Sequence, residues 1–114
     1  MRLIYILSFL IYSSNILAND VSIDKIGKNK FNSITQELCI GIDKEKLAHY
    51  QKMACLEILQ KGVKEDNFYS IYLLHKALKS KVNFNKDYDL TVLENKLKNK
   101  KDLSQEELNL LKKL

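Results

Sequence analysis

The sequence predicts an all-α protein, a small helical bundle or a helical hairpin followed by short C-terminal helices. Three observations lead there. The 114 residues include no proline and only three glycines, which is poor material for a turn-rich β fold. Between residues 43 and 82 apolar side chains recur every three or four positions, the period of an amphipathic helix. Near the end, Ser104 and Glu107 form the sequence pattern of a capping box.

The first 18 residues, MRLIYILSFLIYSSNILA, place Arg2 before an apolar run from Leu3 to Tyr12 and a small residue, Ala18, before polar Asn19 and Asp20. This is the layout of a secretory signal peptide cut after Ala18. The competing reading is an uncleaved membrane anchor, although the run is shorter than the ~20 apolar residues of a spanning helix. Residues 19–32 (NDVSIDKIGKNKFN) are polar with scattered Val21, Ile23 and Ile26, and are expected to be a flexible lead-in. The remaining 33–114 form a single small α-helical domain.

Within that domain, Ser33 is expected to cap a short helix carrying Ile34 and Leu38, with a turn at Gly41. Asp43 is the next N-cap candidate. Leu47, Tyr50, Ala54 and Ile58 follow at helical spacing, widened by Met53, Leu56 and Leu59, and Gly62 is expected to close the helix. Asp66 then caps a second helix with Phe68, Ile71, Tyr72, His75, Leu78 and Val82 on one stripe. Residues 83–89 are rich in turn formers. Leu90, Leu93 and Leu97 trace a further helix, capped by Asp87 or Asp89. In the last helix Leu103 and Leu108 staple the Ser104 cap, and Leu108, Leu111 and Leu114 make an apolar seam.

Two segments carry family resemblances. GVKEDNFYSIYLLHKAL resembles the second half of a Sel1-like repeat, a relative of the tetratricopeptide hairpin, through Gly62, Val63, Asp66, Ser70, Lys76 and Ala77, with a shorter echo from Gly41 to Ala54. Leu73 and Leu74 stand where that pattern has an aromatic pair. The tail LENKLKNKKDLSQEELNLLKKL resembles the two-helix module known as SHOCT through Ser104, Glu106, Glu107, Leu108, Lys112 and Leu114, without its turn glycine. The first covers residues 41–78 and the second 93–114. Both imply paired helices, and neither brings a catalytic residue.

Past Ala18 the chain has 18 lysines, no arginine and 14 carboxylates, a net charge of +4. Nucleic-acid recognition leans on arginine forks, so no nucleic-acid partner is expected; a lysine-rich face gives at most weak attraction to anionic surfaces. Cys39 and Cys55 lack the spacing of a metal site or of a C-x-x-C redox pair, and no metal or cofactor is expected. In an exported chain they are expected to form a disulfide. A helix running through Cys39 into a tight turn would leave Cys55 about 16 Å further along the axis, so the bridge is expected to require an extended segment from Cys39 to Asp43. No phosphate loop, catalytic triad or zinc-protease motif occurs, and Asp87, Asp89, Glu106 and Glu107 already have capping roles. His75 falls on an apolar stripe, where nearby Lys76 or Lys79 would lower its proton affinity.

The expectation is therefore a non-enzymatic periplasmic or secreted protein carrying a bacterial export signal. It would bind a protein partner in the cell envelope, as an immunity or inhibitor protein, a chaperone or a secretion-system accessory factor. Its aromatic contact patch is expected around Phe68, Tyr69, Tyr72 and His75. The alternative is a structural protein tethered to the membrane by an uncleaved N-terminal segment.

Overall fold

A computed structural model describes residues 22–44, 48–84 and 87–114. Among them the regular structure is entirely helical: α1 (Ile23–Ile26), α2 (Lys28–Leu38), a 3-10 turn (Ile42–Lys44), α3 (His49–Lys64), α4 (Phe68–Lys79), α5 (Leu90–Lys98) and α6 (Gln105–Leu111). Met1 to Ala18, the expected signal peptide, lies outside the described residues. None of the described helices is long and apolar enough to cross a membrane.

Most of the described part of the expected lead-in is helical, in two helices parted by Gly27. Ser22 Oγ accepts from the Lys25 amide at 3.3 Å and starts α1. Gly27, at φ 86°, supplies the left-handed joint to α2. Phe31 and Thr35 lie one turn apart on α2 and are wholly buried, so this helix begins five residues before Ser33. Thr35 Oγ1 donates to the Phe31 carbonyl at 2.9 Å, which satisfies a hydroxyl that would be costly to bury alone. Phe31, isolated among polar letters, makes no stripe in the sequence; burial by other helices recruits it.

Cys39 is the C-cap of α2, Gly41 turns at φ 78°, and Ile42 is buried in the 3-10 turn. The Cys39–Cys55 disulfide is formed, with Cα atoms 4.9 Å apart. The expected extended run from Cys39 to Asp43 is absent, because α3 begins at His49 and not at Asp43. Cys55 consequently lies only about 9 Å from the helix start, at ~1.5 Å per residue, and the longer connection lets a helical approach reach it. The Ala48 amide donates to Gln51 Oε1 at 3.1 Å at that start.

α3 and α4 form the expected hairpin, with different details at the joint. Gly62 does not end α3; it lies inside, where a Cβ would come 1.7 Å from Ser70 Oγ and 2.3 Å from Ser70 Cβ. The helix closes two residues later in a Schellman motif: the Asn67 amide donates to the Gly62 carbonyl at 2.8 Å and the Asp66 amide to Val63 at 3.0 Å. Asp66 takes the left-handed position at φ 60°, so Asn67 and not Asp66 occupies the N-cap position of α4. The buried face of α3 is Cys55, Leu56, Ile58, Leu59 and Gly62. It is rotated from the expected stripe, so that Tyr50 is 73% exposed; Leu47 lies outside the described residues.

α4 is the central helix, packed against α2, α3, α5, α6 and the 3-10 turn. A second Schellman closure, with Lys81 at φ 65° and the Val82 amide on the Ala77 carbonyl at 3.0 Å, buries Val82 after it. Phe84 is buried in the following connection, and Gln60 Nε2 donates to Tyr88 Oη at 2.7 Å, tying that connection to α3. Asp89 Oδ1 accepts from the Thr91 amide and starts α5, whose Leu93 and Leu97 are buried. The Ser104–Glu107 capping box starts α6 as expected. Its inward seam is Leu110, Leu111 and Leu114, while Leu108 is 39% exposed.

Candidate binding groove

The expected aromatic contact patch is not a surface. Phe68, Tyr72 and His75 are buried at 3%, 7% and 4% exposure, and only Tyr69 remains half-buried. The reason is the central position of α4, which packs helices against several of its faces and leaves little of its stripe for a partner. Phe68 and Tyr72 instead stack on each other, with ring centroids 6.4 Å apart. His49 is exposed at the start of α3. Among the described residues no group of three or more His, Cys, Asp or Glu side chains is gathered tightly enough to hold a metal ion.

Burial lowers the proton affinity of His75, with Lys79 acting in the same direction and Glu94 opposing it. Its Nε2 is 3.9 Å from Glu94 Oε2, and Glu94 is itself held by Lys98 at 3.1 Å. Glu107 shows the opposite balance. Burial alone would raise its carboxyl, but the Ser104 backbone N–H and the Lys28 ammonium at 3.2 Å hold it below the usual carboxylate range. That Lys28–Glu107 pair fastens the start of α2 to the start of α6.

Between these two helix starts and the beginning of α4 runs a groove of about 860 Å³. Its α2 wall is Asn29, Asn32, Ser33 and Gln36, a spacing that puts all four on one helix face. Tyr69 lies at its side, the α6 wall is Ser104, Gln105, Glu106 and Glu107, and Lys28 stands at the start of α2. Asn32 is oriented by Asn67, whose Nδ2 donates to Asn32 Oδ1 at 2.8 Å and to Ser70 Oγ at 2.9 Å. Gln36 and Tyr69 also line a smaller cavity of about 180 Å³, which Ile40, Ile42, Leu73 and Ala77 make largely apolar. Apolar periodicity does not reveal the polar stripe of α2, since its side chains are uncharged and polar; the 29, 32, 33, 36 spacing is its signal in the sequence.

No protein-family model matches the chain, and neither the curated proteins nor the solved structures include one that does.

Proposed function

We propose that this is a small exported helical protein that acts by binding another protein, in the periplasm or outside the cell. The observation that carries the reading is the buried Cys39–Cys55 disulfide, which joins the end of α2 to α3. Such a bond persists in oxidising compartments and is rare where thiols are kept reduced. The signal-like N-terminal pattern agrees with it, and the 96 residues past Ala18 are of a size at which a staple adds usefully to a thin core. A groove beside exposed Ile40, lined by the amide side chains of α2 and by Lys28, Glu106 and Glu107, provides a place for contact. The role is that of an inhibitor, chaperone or accessory factor.

The test is lysine cross-linking in intact cells that make the full chain, with both linked peptides identified by mass spectrometry. The reading predicts one recurring envelope protein linked to a chain that begins at Asn19. Links only between copies of the chain, or a linked chain that retains Met1, would count against it.

A further inference from the structure

We propose that α6 is an exchangeable element: two copies of the chain trade it, each seating Leu110, Leu111 and Leu114 against the α4 of the other. The partner that this face of α4 fits is a second copy. Exchange of this kind is independent of the protein-binding reading.

The fit is displayed within one chain. Leu103, Leu110, Leu111 and Leu114 pack against the core; Leu110 shares a cavity wall with Phe68 and Tyr69, and Leu114 shares one with Tyr72 and His75. The Lys28–Glu107 pair at 3.2 Å fixes the register of α6 on α2. A traded α6 recovers all of these contacts, because the same sequence meets the same face. No residue of α6 is fully buried, whereas α3 and α4 both carry wholly buried apolar faces. Of these helices α6 is the one that leaves the fold at least cost.

The hinge supplies the reason to trade. Between the end of α5 at Lys98 and the start of α6 at Gln105 the chain reads Asn-Lys-Lys-Asp-Leu-Ser, with neither glycine nor proline. It nevertheless turns through Asp102 at φ 58°, the left-handed region in which a side chain is strained. With the turn opened into helix, α5 and α6 become one helix from Leu90 to Leu111, about 33 Å long at ~1.5 Å per residue. The strain at Asp102 is then relieved, and orphan carbonyls and amides at the two helix ends gain partners. Short hinges under strain invite exchange for this reason. Charge does not decide the matter: in the continuous helix Asp102 comes one turn from Lys98, which attracts it, and from Glu106, which repels it. Two contacts hold the single-chain form at low concentration. One is the Ser104–Glu107 capping box; the other is Lys100, whose ammonium is 2.8 Å from Asp66 Oδ2 and also donates to the Asp66 carbonyl. In the exchanged pair each groove takes its α2 and α4 walls from one copy and Ser104, Gln105, Glu106 and Glu107 from the other.

Equal amounts of 14N- and 15N-labelled full chain, with the disulfide intact, would be unfolded together in guanidinium, refolded at micromolar and at millimolar concentration, and separated by size exclusion. A carbodiimide would then join Lys28 to Glu107 without a spacer, and mass spectrometry of the linked peptides reports which chain each α6 sits on. Exchange predicts a dimer that grows with refolding concentration and contains Lys28–Glu107 peptides of mixed isotope, while the monomer yields single-isotope peptides only. Ser104→Ala, which removes the cap, should raise the association constant at least about fivefold. Asp102→Gly, which relieves the turn without opening it, should lower it at least about threefold. A dimer whose Lys28–Glu107 peptides are all of single isotope would overturn the proposal as a surface association. So would the absence of dimer at millimolar concentration in both the native chain and Ser104→Ala, or an association constant that Asp102→Gly leaves unchanged.

Discussion

At the scale of single residues, the tightest constraint is Gly62. Helix propensity alone favours alanine over glycine by about 1 kcal/mol in a helix interior. A Cβ here would collide with Ser70 Oγ and Cβ, so packing reverses the sign. Gly62→Ala is expected to destabilise by about 1–3 kcal/mol in urea unfolding. Ser70→Ala should not rescue it, since Ser70 Cβ is itself 2.3 Å away, whereas Ser70→Gly should recover part of the loss. Full stability in Gly62→Ala would refute the α3–α4 approach described.

His75 gives a second residue-scale prediction. Its burial lowers the folded-state affinity for a proton below the ordinary value of 6.5, so the unfolded chain binds that proton more readily. Stability from this group is therefore unaffected above pH 6.5 and falls as the pH drops below it, by at most about 1.4 kcal/mol per pH unit. Urea midpoints between pH 7.5 and 5.5 measure the slope. His75→Gln should flatten it, and an unchanged slope in that variant would assign the effect elsewhere.

At the scale of elements, two fastenings hold α2 in place from opposite ends. The disulfide at its C-terminus spans 16 positions and contributes about 3 kcal/mol in the chain-entropy model. Reduction, or Cys39→Ser with Cys55→Ser, should lower stability by about that amount, measured as the urea midpoint with and without reductant. At its N-terminus, the Lys28–Glu107 pair joins α2 to α6 through the same carboxylate that caps α6. Glu107 titrates below its ordinary 4.5, so its contribution is present above that pH and is lost as the pH falls through the lowered value. Glu107→Gln should loosen α6 selectively, seen as faster amide exchange from Leu108 to Leu111 with little change in α3 and α4.

At the scale of the whole molecule, helix identity was more legible in the sequence than helix boundaries or faces. Leu93, Leu97 and the Ser104–Glu107 box announce themselves because spacing and capping chemistry are local. Gly62 and Asp66 misled because glycine is a common helix stop and aspartate a common cap, while here close packing required the glycine and the left-handed position went to Asp66. Phe31 was invisible because its partners lie across the fold. The expected contact residues failed for a related reason: Phe68, Tyr72 and His75 mark an apolar face, and periodicity does not say whether core or partner covers it. The α2 groove exists only once α4 and α6 are placed beside it.

Intact mass measurement of the native, non-reduced protein tests the exported, stapled account most directly. The account predicts a chain beginning at Asn19 whose mass is lower by two hydrogens than the reduced sequence and whose thiols do not react until a reductant is added. A chain that begins at Met1 with two reactive thiols would contradict it.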